Sequence, residues 1–337
     1  MNRHGNVTAH ILFLAALFLS CAVPAAASDW RFSAEPMAGI RYGTLGEYVY
    51  TPDTNGTYRK LSELDWELKP AWYFGGTVSL GWRGMLLSAS ASGAVPGRTG
   101  SMFDSDWQNV TINGDADTKT NYSISENTLT ASYRFGADLS YTFKPWKYVL
   151  LTPSAAVDYT YTSMEARNGY GWYADASTLK TPVGYSYTSD KAIYYASGEL
   201  LGIDYKREDV LTWLGFTGAF TPVPQFTGTL SFFISPYAYV QSLDRHHTDT
   251  SGASNYYVDI MSGFFSVYRF ETSGTYALDK NLSLTLAVSW LFSEIITGSD
   301  YYSTSSSGPW VKFSDVKSGA DFKYTEVRFS LRYSLDF

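Results

Sequence analysis

The C-terminal stretch Glu326–Phe337 constrains the fold of this chain more than any other. Val327, Phe329, Leu331, Tyr333, Leu335 and Phe337 alternate with Arg328, Ser330, Arg332, Ser334 and Asp336. Successive side chains on a strand point to opposite faces, so one face of this segment is apolar and the other polar. A half-buried strand of a soluble sheet would give the same pattern. The other end of the chain favours a different solution. Arg3 precedes the apolar run Ile11–Ala22 and the small-residue triplet Ala25-Ala26-Ala27, the layout of a secretory signal cleaved before Ser28. The run is too short for a stable membrane helix. A secreted chain that ends on a strand with a terminal aromatic is expected to be an outer-membrane barrel, apolar towards lipid and polar towards its lumen. Cys21 allows a lipoprotein reading, but its flank Phe18-Leu19-Ser20 fits an acylation signal less well than the alanine triplet fits cleavage. With Cys21 removed, the mature chain has no thiol chemistry.

Composition fits a barrel. Aromatics make up 17% of the chain, with 28 Tyr and 10 Trp, the side chains that gather at membrane–water interfaces. Mean hydropathy is −0.16, and no segment beyond residue 27 is long and apolar enough for a membrane helix. A barrel hides its apolar face in alternation, so this does not argue against membrane residence. Signal removal takes Arg3 alone among the charges and moves the net charge from −7 by one further negative unit. That balance disfavours nucleic acid as a partner and suits a cationic substrate.

Residues 1–27 are thus expected to be a signal peptide and 28–337 one barrel domain. Short turns at Lys69-Pro70, Lys144–Lys147, Thr221–Gln225 and Leu278–Asn281 interleave with long polar loops at 50–58, 93–122, 166–192, 245–256 and 297–318. That layout gives an all-β, ten-stranded antiparallel transmembrane barrel. The strands fall near 31–49, 59–71, 72–92, 122–143, 147–165, 193–220, 226–245, 257–277, 282–297 and 319–337. Ser125–Phe143 alternates throughout, and at ~3.3 Å per residue it outruns a membrane span, so the barrel should protrude and its loops should form a walled cleft. One conflict stands out. Leu230, Phe232 and Ile234 share parity with Asp244 and His246, which would put the latter pair on the apolar face unless a bulge near Pro236 resets the alternation.

With His4 and His10 in the signal, the mature chain keeps only His246 and His247, the side chains best suited to proton transfer near neutrality. Asp244 lies two residues before His246, on the same strand face, where a carboxylate can orient an imidazole. A solvated loop edge would produce the same triplet. His247 has the opposite parity and reads as a bystander. Asp104 and Asp106 form a second i, i+2 pair, in which like charge raises one pKa and lets the pair hold a water and a shared proton. An ordinary acidic loop has the same spacing, and carboxylates with a histidine also suit a divalent ion.

Several stretches resemble the omptins, ten-stranded outer-membrane endopeptidases of Gram-negative bacteria. Gly43-Thr44-Leu45 with Glu47–Tyr50 is similar to the family's first strand and loop, and Arg59–Trp66 to its second strand. Gly100–Trp107 resembles the G-x-M-x-D-x-D-W segment that carries the family's aspartate pair, and Asp244-x-His246 stands in place of its Asp–His dyad. The resemblance implies that His246, oriented by Asp244, acts as general base on a water. Asp104 and Asp106 would position that water and support the oxyanion. Glu47 matches an acidic residue of the family's pocket for a basic substrate side chain. No metal and no cofactor is implied. The expected partners are peptides or proteins with basic residues and the outer-membrane lipid, with the active site facing the exterior. Two departures carry consequences. Ser242 stands where the family has a second pocket acid, so a weaker basic preference is expected. The segment Val157-Asp158-Tyr159-Thr160-Tyr161 lacks the family's lipid-binding arginine, so lipopolysaccharide dependence does not carry over.

Two other classes compete. A catalytically silent barrel, an adhesin or structural protein, would suit the Tyr- and Ser-rich loops equally well. A porin or transporter fits less well, because ten strands leave little open lumen. Retention of all four catalytic positions favours the hydrolase.

Overall fold

The computed structural model describes residues 29–110, 117–248 and 252–337; the expected signal peptide, with Cys21, lies outside them. The chain forms one antiparallel sheet closed on itself. Its strands are β1 Trp30–Pro52, β2 Tyr58–Trp82, β3 Met85–Ala94, β4 Gly97–Asp106, β5 Asn121–Tyr141, β6 Phe143–Trp146, β7 Val149–Tyr173, β8 Ile193–Leu200, β9 Ile203–Val223, β10 Phe226–Ile234, β11 Ala238–His247, β12 Ser254–Gly263, β13 Val267–Ala277, β14 Leu282–Ser293, β15 Ile296–Ser303 and β16 Val311–Asp336. At the level of the chain termini the ring runs β1-β2-β3-β5-β7-β9-β10-β13-β14-β16 and back to β1, ten strands in all. At the other end β4, β11, β12 and β15 continue β3, β10, β13 and β14 upward.

The strand count expected from sequence holds, but one turn moves. Lys69-Pro70 is not a turn. It lies inside β2 as a bulge, since Arg41 pairs with Ala71 while Gly43 pairs with Leu68. The turn is Arg83-Gly84, where both residues have positive φ, 48° and 87°, as a two-residue hairpin of the I′ type requires. Residues 97–106, expected in a loop, are β4, and 193–220 divides into β8 and β9.

The outer face carries the apolar belt. Trp72, Phe74, Val78 and Leu80 on β2 are exposed, as are Leu214 and Phe216 on β9, Leu286 and Trp290 on β14, and Val327 and Phe329 on β16. In lipid these side chains replace solvent contact with acyl chains. Inside, the lumen is filled rather than open. Trp66, Met102, Leu129, Met164, Tyr205, Met261 and Phe322 pack together from strands on opposite sides. Beneath them lies a charged layer with Arg41–Glu326 at 2.9 Å and Trp213 Nε1 donating to Asp158 at 2.8 Å. The void beside this layer is about 20 Å³, room for roughly one water. A porin-like passage finds no support at this level.

The parity conflict around Pro236 is resolved by a bulge. Ile234 pairs with Leu214 on β9, but Ala238 pairs with Leu211, so one extra residue sits on the β10–β11 side. Pro236 has no N–H to offer a ladder, and the chain closes around it instead. Tyr237 N donates to Thr212 Oγ1 at 3.0 Å, Thr212 N donates to Tyr237 O, and Ser235 Oγ donates to Tyr237 O at 2.9 Å. Below the bulge Leu230 and Phe232 face outward. Above it Ala238, Val240, Ser242 and Asp244 are buried inward.

Candidate active site

Above the apolar belt, at the end remote from the termini, β4 lies between β2 and β5. Asp104 pairs with Leu64 and Ser123, and Asp106 with Ser62 and Asn121. Both acids share the inward face of β4 with the buried Met102. Asn121 Nδ2 donates to Asp106 Oδ2 at 3.3 Å, while its Oδ1 accepts from the backbone N–H groups of Ala174 and Asp175. Asn121 therefore ties the aspartate pair to the loop after β7. Burial, the Asp106 charge and Glu47 hold the Asp104 carboxyl well above its ordinary range. Burial pushes Asp106 up to about 6 against hydrogen bonds from Ser62 and Asn121. Such a pair carries a proton at neutral pH.

The facing wall is built on β11. Asp244 is opposite Tyr205 on β9 and Tyr257 on β12. His246, half-buried two residues further on, meets the Tyr257 ring at 5.1 Å and 72°, edge to face. Burial draws its pKa down to about 4, with His247 adding to the effect, so the ring is neutral and able to accept a proton. Burial, then Asp259 and Asp300, push Asp244 up to about 7, against a hydrogen bond with Glu47. Among the described residues no hydrogen bond joins Asp244 to His246, and Asp244 Oδ1 has no partner. His247 points the other way, to Asp204 at 3.2 Å, which also pairs with Arg167. Its bystander reading fits that placement.

Glu47 links the two walls. It lies on the inward face of β1, in one lateral row with Leu64 and Asp104, and its charge reaches Asp104 on one side and Asp244 on the other. Sequence reasoning missed the rest of this group. Ser242 is opposite Asp259 on β12, and Asp259 is opposite Asp300 on β15. Oxygens of Glu47, Asp244 and Asp259 lie within 4.8 Å of one another, all buried. Ser242 Oγ donates to Asp259 Oδ2 at 3.3 Å. Burial first, then the neighbouring carboxylates, raise Glu47 and Asp259 well above the usual range. Asp300 is pushed up to about 6, again chiefly by burial. Glu47 Oε2, Asp244 Oδ1, Asp259 Oδ1 and Asp300 Oδ1 all lack a partner. Buried unpaired acceptors in this number are satisfied by protons or by a cation. The spacing accommodates a metal ion or the charged end of a basic side chain. The available signal was the alternation Tyr257, Asp259, Met261, which places an acid among inward positions.

The sequence pattern of the omptin family matches residues 30–335. The structure of the outer membrane protease OmpT from Escherichia coli superposes with a TM-score of 0.75 at 18% identity, covering 94% of this chain and 100% of that one. The translocator domain of the autotransporter NalP from Neisseria meningitidis (TM-score 0.33, 10% identity, 98% and 95% covered) and the outer membrane protein OprG from Pseudomonas aeruginosa (0.35, 9%, 94% and 100%) are more distant barrels. No curated protein matches the sequence. The match spans nearly the whole described chain, and the chain belongs to the omptin family of outer-membrane proteases.

Proposed function

We propose that residues 28–337, after loss of the signal peptide 1–27, form an endopeptidase that hydrolyses peptide bonds beside basic residues, with its cleft open to the cell exterior. The observation that carries this reading is the group of buried acids, Glu47, Asp244, Asp259 and Asp300, each with one oxygen lacking a partner, next to a neutral histidine. The cleft lies at the end with the longer loops, opposite the short turns and the termini, and long loops in such barrels are extracellular. The belt binds outer-membrane lipid, and no lipopolysaccharide requirement is proposed. Asp158, where the family's basic cluster fails to align, faces the lumen and pairs with Arg134.

A lysine or arginine side chain placed among the acids favours their ionised forms. On this reading Asp259, one strand over from Ser242, brings a carboxylate to the pocket and offsets the missing second acid. Asp244, once ionised, accepts the imidazole N–H and fixes its tautomer. The other ring nitrogen takes a proton as water attacks the scissile carbonyl carbon. Asp104 and Asp106, sharing a proton, hold that water and donate to the developing oxyanion. The imidazolium then protonates the leaving amine. No metal or cofactor takes part.

The test is His246→Ala in the purified, lipid-reconstituted protein, assayed on a dibasic peptide with and without a chelator. Loss of cleavage with unchanged heat-modifiable gel mobility, and wild-type activity that survives chelation, are expected. Undiminished cleavage by the variant would leave a barrel with some other role. Chelator-sensitive wild-type activity would point to metal chemistry.

A further inference from the structure

Tyr205 lies on the luminal face of β9, directly opposite Asp244. Such cross-strand pairs have Cβ atoms about 4.5–5.5 Å apart. Only 1% of Tyr205 is exposed. Its ring stacks on the buried Trp66 at 4.9 Å and 10°, which fixes the direction of its hydroxyl. Buried tyrosine hydroxyls normally have a partner. The O–H of this one has no acceptor, and Glu47 Oε2 and Asp244 Oδ1 have no donor. Burial and both carboxylates keep the phenol protonated, with Arg207 opposing them. Arg207, two residues on along the same face, also reaches the phenol oxygen; it bonds Asp209 at 2.8 Å and the carbonyl oxygen of Asp321 at 3.1 Å, and as a pure donor it leaves the phenol O–H free to donate.

One immobilised O–H donor therefore lies cross-strand from Asp244 and within electrostatic reach of it and of Glu47, and the proton on the acids decides whether it is used. A protonated carboxyl can donate to a neighbouring acid, and oxygens of Glu47 and Asp244 lie within 4.8 Å of each other. A carboxylate cannot, and it needs a donor. We propose that Tyr205 is a positioning residue whose hydroxyl donates to Asp244 when that acid ionises, holding the carboxylate in the orientation that serves His246. The inference rests on the Asp244–His246 reading above. The groups facing Asp244 are Glu47 from β1, Asp259 and Tyr257 from β12, Asp300 from β15 and Tyr205 from β9, with His246 on its own strand; His247 faces away.

The test is Tyr205→Phe, which keeps the ring on Trp66 and removes one oxygen. A donor to the ionised acid lowers its pKa, so its loss should move the acid limb of the kcat profile up by about one pH unit. The rate should fall about fivefold at neutrality, approach a tenfold loss on the acid side, and recover at high pH. A purely structural role would lower kcat equally at every pH. An unshifted acid limb overturns the proposal. If the phenylalanine variant does not fold, 3-fluorotyrosine at the same position decides. Its stronger donor should move the limb to lower pH, and no movement again overturns the proposal. His246→Ala separates the two readings. If that variant still cleaves, the dyad reading fails; if it is dead while Tyr205→Phe leaves the profile untouched, only the role of Tyr205 falls.

Discussion

Replacing Asp259 by Asn tests whether the acid group, rather than Glu47 alone, reads the substrate's charge. Asp259 carries an oxygen within 4.8 Å of oxygens on both Glu47 and Asp244, so a guanidinium bound among them contacts all three. One charge pair at ~4 Å and an effective dielectric of ~20 is worth ~4 kcal/mol in gross Coulomb energy. After desolvation, a charge-assisted hydrogen bond nets about 1.5–3 kcal/mol. The variant should therefore lose about 10- to 100-fold in kcat/KM on an arginine peptide. The same peptide carrying citrulline, a neutral isostere, should be cleaved poorly by both proteins and change less than about threefold between them. The pH profile adds a signed check. Asp259 is among the charges that raise Asp244, so its removal should lower the Asp244 pKa and move the acid limb to lower pH, opposite to the expectation for Tyr205→Phe. An arginine-to-citrulline ratio equal to that of the wild type would refute the assignment of Asp259 to the pocket.

Asp104→Asn and Asp106→Asn should each lower kcat by about 100-fold or more with the barrel intact on a gel; a tenfold loss or less would make the pair peripheral. Stability should also fall as pH rises. Asp106, Asp244 and Asp300 are raised from an ordinary 3.8 to about 6–7, so the folded state binds more protons than the unfolded one across that window. Their stabilising contribution is complete below the ordinary value and lost as pH climbs through the folded values. The Tm of the detergent-solubilised protein should therefore decrease from about pH 5 to about pH 8, and an increase would refute the pKa ordering.

The alternation of Glu326–Phe337 shows the barrel in the sequence because one face meets lipid along the whole strand. The shared inward face of Asp104 with Asp106, and of Asp244 with His246, is legible for a similar local reason, since i and i+2 share a face whatever the neighbours do. Bulges are a different matter. Lys69-Pro70 has the composition of a turn, yet its missing N–H is absorbed as an irregularity opposite Tyr42, and β2 continues. At Pro236 the same chemistry was readable only because a parity conflict demanded an extra residue there. Asp259 and Asp300 were not legible, because their meaning is lateral. They become pocket candidates only through the register that sets Ser242 beside Asp259 and Asp259 beside Asp300, and one sequence carries no record of which strands are neighbours.

On the proposed reading, the same burial that would make the acid group selective would also decide when the histidine can work. An imidazole drawn down to about 4 beside a carboxyl raised to about 7 is a weak base at neutral pH, because the resting site holds no charge to stabilise its protonated form. A bound lysine or arginine changes this, since its charge favours the ionised acids, and an ionised Asp244 in turn raises the affinity of His246 for a proton. Recognition and activation are then one electrostatic event. A neutral side chain of the same shape would occupy the cleft and leave the base unarmed. Discrimination against it should therefore appear in kcat as well as in KM, which distinguishes this coupling from a pocket that merely binds.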